Sequence, residues 1–394
     1  MPASASTGRL PRVAYFPDTY HEVNGVARTA RHLTDYALRK GLPFMCVRPG
    51  AGYKRWNQRS VEHIELQRGR LAVRVEKDLW QDPHILRYKS LLCSRFEEFR
   101  PNVVHVTSMG DFGLLGWRLA QEFGLPIVAS WHTNIHEYAA WRFCKAARFV
   151  PTRPRQLVSR GIEQIFLGFS LWFYRTGAAV MAPNPELVEL LRQSTKKPAY
   201  LMERGVDSEL FDCAKRGRND GEVVFGYVGR LSTEKNLRVL KRLEDALGAA
   251  GLGDYRFELV GHGSESDWLR SNLEKATLRG VLLGEPLAQA YADMDVLLFP
   301  SRTDTYGNVV WEAAASGVPA IVMGAGGPQY IVRDGLTGIV SRSDEEFVAN
   351  AIRLYREAEL RQQMGHAARK VALAQSWDAV FDRLYDEAYA TAVA

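Results

Sequence analysis

Cysteine is scarce in this sequence and nowhere clustered. The four cysteines among 394 residues are Cys46, Cys93, Cys144 and Cys213. They form no CxxC pair and no Cys/His spacing of the kind that closes on zinc. A disulfide scaffold is excluded, and reduced thiols in a cytoplasmic protein are expected. Long apolar runs are also missing: the longest, Ile165–Tyr174, is about half a bilayer span, and Met1–Leu10 lacks the apolar core of a signal peptide. No membrane-crossing segment is expected. A GxGxxG fingerprint is absent after the first apolar strand, where only Asn24-Gly25 stands, which argues against a nicotinamide enzyme. No repeat of solenoid period occurs.

What is present is the composition of an ordinary globular protein, with 46% hydrophobic and 24% charged residues. The length exceeds what one core serves well, so two domains of roughly 150 to 200 residues are expected. The 33 glycines suit many tight strand-to-helix turns. A net charge of +6 conceals an asymmetry: residues 1–200 carry 29 Lys/Arg against 16 Asp/Glu, and residues 201–394 carry 22 against 29. A basic half suits nucleic acid, anionic lipid or phosphorylated ligands, and charge alone does not choose.

Short apolar runs alternate with amphipathic stretches twice over, the pattern of parallel sheets covered by helices. In the first half Val13–Phe16, Phe44–Val47, Val103–Val106, Ile127–Ser130 and Ala179–Met181 read as strands. Val26–Lys40, Leu86–Phe99 and Leu114–Phe123 read as helices between them. The second half restarts with strands at Val223–Val228, Phe257–Val260, Val296–Phe299, Ala320–Val322 and Gly338–Val340, and helices near Leu237–Ala249, Glu265–Ala276 and Val309–Ser316. The expected fold is α/β: two Rossmann-like doubly wound domains, residues 1–206 and 207–376, facing across a cleft at the carboxyl ends of their sheets. The seam is expected around Asp207–Glu222, where periodicity fades, and residues 377–394 read as one amphipathic helix packing back on the first domain.

Two segments carry chemistry. In VFGYVGRLSTEKNL, residues 224–237, a strand ends at Gly229, and Arg230 and Lys235 flank a helix start, a geometry suited to a diphosphate. A solvated basic turn is the alternative. In FPSRTDTYGNVVWEAAASGVPAIV, residues 299–322, Asp304 and Glu312 are separated by seven residues, and Gly307-Asn308 opens a helix. Glu312 suits a ribose diol and Asp304 suits sugar hydroxyls, while the N–H groups of Tyr306, Gly307, Asn308 and Val309 suit phosphate oxygens. The alternative is an acidic pair favourable to the helix dipole.

VGRLSTEKN, VGHGSE and the carboxylate-x7-Glu pair inside DTYGNVVWEAAASGVPAIV resemble glycosyltransferase family 4, retaining enzymes of the GT-B fold. The resemblance extends over nearly the whole chain. VNGVART matches the glycine-rich donor loop, which places Gly25 close to the sugar phosphates, and His132-Thr133 in ASWHTN matches the family's HT pair. ERGVDSELF matches the interdomain segment. The resemblance implies a nucleotide-sugar donor held mainly by the second domain, with the acceptor entering through the first. Gly261 and Gly263 would let backbone approach the nucleotide, and His132 would stand near the donor sugar. Arg230 and Lys235 would neutralise the departing nucleoside diphosphate, so no metal and no other cofactor is expected. Many family members have Glu where this chain has Asp304, a shorter carboxylate that bears on the sugar accepted. Asp293-Met294-Asp295 has a metal-binding form, yet it stands directly before an apolar strand and reads as a helix end.

The segment from Trp141 to Arg175 combines Arg142, Lys145, Arg148, Arg153, Arg155 and Arg160 with Trp172, Phe173 and Tyr174. Basic and aromatic residues together suit an anionic membrane surface; the alternative is a buried helix with Phe166, Phe169 and Phe173 as a core stripe. Within the family, DTYGNVV and NGVART look most like the branch building glycolipids and mannosylated glycans. GDP-mannose or a UDP-hexose is the expected donor, and a glycolipid, ahead of a soluble glycan or small polyol, the expected acceptor. A cytoplasmic protein, peripheral on the inner face of the membrane, is the corresponding location. A silent nucleotide-sugar-binding scaffold is the rival, against which Arg230, Lys235 and Glu312 speak. No nucleic-acid recognition motif is present.

Overall fold

The computed structural model describes residues 10–22, 24–74, 80–132 and 152–394, with the side chains of residues 74 and 152–157 outside that description. It divides into two units, Met1–Glu203 with Val380–Ala394, and Arg204–Ala379.

The first unit is built on β1 (Val13–Phe16), β2 (Phe44–Gly50), β3 (Lys54–Gln58), β4 (Val61–Gln67), β7 (Val103–Val106), β8 (Ile127–Ser130), β9 (Ala179–Ala182) and β10 (Ala199–Leu201), with β5 (Val73–Arg74) and β6 (Trp80–Gln81) forming a separate small ribbon. Its sheet runs β10-β9-β8-β7-β1-β2-β4-β3, parallel except where β3 pairs antiparallel with β4. Every residue of β1, β7, β8 and β9 is buried, as a sheet covered on both faces requires. Helix α1 (Gly25–Lys40) starts where the Asn24 side chain accepts from the Ala27 N–H at 2.8 Å, and ends at Gly41, whose φ of 66° needs no Cβ. The expected Leu86–Phe99 helix is instead a 3-10 turn at Ile85–Tyr88 followed by α2 (Lys89–Phe99). Helix α3 (Asp111–Phe123) begins earlier than apolar spacing suggests.

The second unit holds β11 (Val223–Val228), β12 (Tyr255–Val260), β13 (Ala276–Gly280), β14 (Val296–Phe299), β15 (Ala320–Met323) and β16 (Gly338–Ser341) in the order β13-β12-β11-β14-β15-β16, all parallel. The expected Glu265–Ala276 helix spans only Ser266–Asn272. Leu273 is extended and Ala276 already opens β13.

The seam lies earlier than expected. The chain changes unit between Glu203 and Arg204, and the whole Asp207–Glu222 segment belongs to the second unit. Charge holds it there: Arg369 donates to the Asp212 carboxylate at 2.6 Å and the Phe211 carbonyl at 2.7 Å, while Arg216 and Arg218 both pair with Asp295. From Val380 onward the tail is part of the first unit. It is not one regular helix but Trp377–Arg383, a π-helical stretch Leu384–Tyr389, and Ala390–Val393. Tyr36 donates to Asp382 at 2.5 Å, Arg383 donates to Glu203 at 2.9 Å, and the hydroxyls of Tyr200 and Thr391 meet at 2.6 Å.

Candidate active site

Strand order reverses between β11 and β14 in the second sheet, since β12 and β13 lie on one side of β11 and β14 to β16 on the other. Doubly wound sheets open a crevice at the carboxyl ends of such strands. The two chemical segments of the sequence are the loops that leave these strands. After β11 come Gly229, Arg230 and a 3-10 turn, Thr233–Lys235. After β14 come Asp304 and Gly307, which enters the Asn308–Ala315 helix at φ 101°. Lys235 Nζ donates to both Asp304 oxygens, at 2.7 and 2.8 Å, and Lys235 is only 8% exposed. Asp304, expected to hold sugar hydroxyls, therefore also holds the ammonium in place. Arg230 is more open, 3.7 Å from Glu234, which also accepts from the Ser232 hydroxyl at 2.6 Å.

Glu312 is 4% exposed, and its Oε2 accepts from the Tyr291 hydroxyl at 2.8 Å. A carboxylate this deep needs such donors, and Tyr291 is one that the sequence did not reveal. Among the described residues no side chain caps the Asn308–Ala315 helix, so the N–H groups of Asn308 and Val309 stand in its first turn without one. The Tyr306 ring is buried, and its hydroxyl accepts from Trp311 Nε1 at 2.8 Å and donates to the Arg204 carbonyl at 3.4 Å.

Gly261 and Gly263 are required by the packing of the protein's own loops. A Cβ on Gly261 would lie 1.9 Å from the Gly229 carbonyl oxygen, and one on Gly263 2.2 Å from that of Leu231. These glycines let the loop after β12 lie directly on the loop that carries Arg230, so the backbone they accommodate is the protein's own. The same device recurs at Gly326 and Gly327, where a Cβ would strike the carbonyl oxygens of Asp304 at 2.5 Å and Thr305 at 2.1 Å. Gly327 also donates its N–H to the Asp304 carbonyl at 2.7 Å. The run GAGG was a visible signal for this second brace.

Asp293-Met294-Asp295 is committed to structure. Asp293 accepts from the Gly217 N–H at 2.8 Å and from Gln289, Met294 is buried, and Asp295 accepts from the Val224 N–H at 2.8 Å as well as from Arg216 and Arg218. Among the described residues no group of three or more His, Cys, Asp or Glu could hold a metal ion.

In the first unit the order reverses between β1 and β7. Here the crevice is filled by the protein itself. Asp18, after β1, accepts from the Phe112 and Gly113 N–H groups at 3.1 and 3.2 Å and from the Ser108 hydroxyl, sealing the start of α3. Arg68 donates to Asp111 beside it at 2.6 and 3.0 Å. Burial, followed by the Asp111 charge, raises the Asp18 pKa to about 6, against the lowering effect of its hydrogen bonds. The N-terminal anion position of α3 is thus taken by a side chain. The corresponding helix start in the second unit has none.

Gly25 is the exposed first residue of α1, behind the Asn24 cap. His132 follows β8, is 8% exposed, and its Nε2 lies 2.7 Å from Ser130 Oγ. Thr133 and the stretch 133–151, with Trp141, Arg142, Lys145 and Arg148, lie outside the described residues, as do the side chains of Arg153 and Arg155. Arg160 is exposed on the Thr152–Arg175 helix. Of the alternative core stripe Phe166, Phe169 and Phe173, only Phe173 is inside, beside buried Tyr174; Phe166 and Phe169 are exposed, as are Ile165 and Trp172, with Phe169 stacked on Trp172. No helix among the described residues is long and apolar enough to cross a membrane.

A doubly wound domain with cations, an uncapped helix start and a buried carboxylate at its switch point has the parts of a nucleotide-binding domain. Residues 23–210 match Glycosyltransferase Family 4, and residues 222–357 match Glycosyl transferases group 1. A "GDP-mannose-dependent alpha-mannosyltransferase" of Mycobacterium tuberculosis is 31% identical over 301 residues, 73% of this chain and 72% of that protein. "Sulfoquinovosyl transferase SQD2" of Arabidopsis thaliana is 28% identical over 334 residues, 79% of this chain and 61% of that protein. Among solved structures, sucrose-phosphate synthase from Thermosynechococcus elongatus superposes with a TM-score of 0.74 at 18% identity, covering 97% of this chain and 100% of that one. The chain belongs to glycosyltransferase family 4. It is a hexosyltransferase that uses a nucleotide-sugar donor.

Proposed function

We propose that the protein transfers mannose from GDP-mannose, with retention at the anomeric carbon, to a glycolipid acceptor at an anionic membrane surface, and needs no metal. The donor assignment is carried by the 31% identity to a relative named as GDP-mannose-dependent. In this reading the donor lies at the switch point of the second unit. Glu312 accepts from the ribose hydroxyls, the first-turn N–H groups of Asn308 and Val309 meet the diphosphate, and Asp304 meets the sugar. Arg230 and Lys235 offset the charge that grows on the leaving diphosphate, as preorganised cations do in a low-dielectric site. On the front face, the bond from the anomeric carbon to phosphate oxygen breaks as the bond to the acceptor oxygen forms. The acceptor proton passes to the departing phosphate. His132 donates a hydrogen bond near the sugar.

The acceptor assignment is supported by the exposed face of the Thr152–Arg175 helix, where Ile165, Phe169 and Trp172 stand out on the same helix as the exposed Arg160. An amphipathic face with cations suits an anionic interface, and a peripheral place on the cytoplasmic membrane follows. A UDP-hexose is the second reading for the donor, because the identity to a sulfoquinovosyl transferase shows that this family spans different sugars.

The test is ligand-dependent melting against GDP-mannose, UDP-glucose, UDP-galactose and UDP-N-acetylglucosamine, followed by determination of the product's anomeric configuration. GDP-mannose is expected to raise Tm most and to yield an α-linked mannoside. A larger rise with a UDP-sugar, or a β-linked product, would overturn this reading.

A further inference from the structure

Two loops of the second unit carry the Lys235–Asp304 pair, and a third element holds both. Asp344 is the first residue of the Asp344–Arg356 helix, whose start Ser343 caps by accepting from the Glu346 N–H at 3.1 Å. Phe347, Ala351 and Leu354 of that helix are buried, so Asp344 stands on an element fixed in the core. Its Oδ1 accepts from Asn236 Nδ2 at 3.0 Å and from the Arg302 guanidinium at 3.1 Å. Asn236 follows Lys235 directly, and Arg302 stands two residues before Asp304. One carboxylate oxygen thus joins the loop after β11 to the loop after β14, in addition to the join that Lys235 and Asp304 make themselves. The other, Oδ2, accepts from Arg242 of the Val239–Ala249 helix at 3.3 Å, and Arg242 also donates to Glu345 at 2.6 Å.

Backbone geometry shows why the Asn236 end matters. Asn236 sits at φ 56°, ψ 32°, a left-handed conformation uncommon outside glycine, and its N–H meets the Thr233 carbonyl at 3.1 Å. That twist closes the Thr233–Lys235 turn. A side-chain amide tied to Asp344 holds the twist, so the turn that carries Lys235 keeps one direction. Magnitude separates this from a role in stability. The Arg302 and Arg242 side chains are 44% and 49% exposed, and ion pairs this open add little to the stability of a fold. Position is a different matter, because a displacement of about 1 Å at a catalytic site can cost on the order of 100-fold in rate.

We infer that Asp344 is a positioning residue for the Lys235–Asp304 pair: it braces both loops where they leave the sheet and so sets where the ammonium stands. It lies 108 residues from Asn236 and 42 from Arg302, so no contiguous motif reveals it. The brace stands on these contacts alone; its part in turnover rests on the proposed role of Lys235 toward the leaving diphosphate.

The test combines GDP-mannose turnover by the full chain with the Lys235–Asp304 coupling measured in chemical denaturation. Asp344→Ala is expected to lower kcat about tenfold, with donor KM within about threefold. Asp344→Asn keeps an oxygen for Asn236 and Arg302 and is expected to stay within about twofold of the wild type. In the Lys235→Ala background, adding Asp344→Ala is expected to change kcat by no more than about twofold, because no ammonium remains to be placed. The coupling between Lys235→Ala and Asp304→Ala is expected to fall to about half or less when Asp344→Ala is present. Arg302→Ala, at an exposed residue, cuts the same brace and supplies the same readings should Asp344→Ala not fold. Full turnover in folded Asp344→Ala, an equal tenfold loss in the Lys235→Ala background, no rescue by Asp344→Asn, or unchanged coupling would each overturn the inference. A wild type that turns over no GDP-mannose, yet loses coupling in Asp344→Ala, would count against the donor reading and leave the brace standing.

Discussion

Lys235 donates to both carboxylate oxygens of Asp304, at 2.7 and 2.8 Å, across the point where the second sheet reverses its strand order. The pair ties the loop after β11 to the loop after β14, and both side chains are largely buried. Removing one partner leaves the other as an uncompensated charge, which is worse than removing both. A double-mutant cycle should therefore show coupling. Asp304→Ala and Lys235→Ala are each expected to destabilise by about 1–3 kcal/mol, reduced from fully buried values because Asp304 keeps some solvent contact, and the double variant by less than the sum. Chemical denaturation measures this; strict additivity would show that the pair is not a unit.

Glu312 sits away from the reacting carbon in the proposed mode, held by Tyr291. Glu312→Gln is expected to weaken donor binding by about 1.5–3 kcal/mol, the scale of a hydrogen bond to a charged group, with a smaller effect on turnover of bound donor. Tyr291→Phe should weaken it by about 0.5–1.5 kcal/mol. Titration calorimetry with GDP-mannose decides, and unchanged affinity in Glu312→Gln would reduce Glu312 to a helix residue.

The pH dependence of stability follows from three buried groups of the first unit. The folded pKa of His105 is lowered to about 3 by burial, and that of His63 to about 4 by burial and the adjacent Arg48 guanidinium. Each binds a proton more readily when unfolded, so each costs stability as pH falls from about 6.5 toward its folded value. Asp18 acts in the opposite sense, since its raised pKa favours the fold as pH falls through about 6. Melting temperature should drop between pH 6.5 and 4, and Asp18→Asn should steepen that drop. A flat profile in both would contradict these assignments.

Much of this architecture was legible because parallel strands bury both faces and read as unbroken apolar runs. Val13–Phe16, Val103–Val106, Ile127–Ser130, Val223–Val228 and Val296–Phe299 stand where the runs place them. Strands lacking that burial were invisible: β3, KRWNQ, is exposed throughout, and β13, ATLRG, alternates between half-exposed and exposed. In the candidate site, the residues on contiguous motifs could be read directly. Asp18 could not, because the N–H groups that define its role lie 94 and 95 residues away in sequence. Tyr291 is likewise 21 residues from the carboxylate it serves. The reason for Gly261 and Gly263 emerges only once the loops are laid together.

The exposed face of the Thr152–Arg175 helix makes membrane binding testable by co-sedimentation. Binding to anionic vesicles should fall as salt rises, and should weaken in Arg153→Gln/Arg155→Gln/Arg160→Gln and, separately, in Phe169→Ala/Trp172→Ala. Equal recovery with neutral and anionic vesicles would sink the electrostatic part.

The central claim is that protein cations at the β11/β14 switch point take the charge of the leaving diphosphate. The direct measurement is GDP-mannose turnover in EDTA, for the wild type and for Lys235→Ala, with the double variant Lys235→Ala/Asp304→Ala as the control for a stranded carboxylate. The account predicts full wild-type turnover in EDTA and a loss on the order of 100- to 1000-fold in Lys235→Ala, the scale of about 3–4 kcal/mol of transition-state stabilisation, not restored in the double variant. Turnover abolished by EDTA and restored by Mg²⁺, with Lys235→Ala near the wild-type rate, would contradict it.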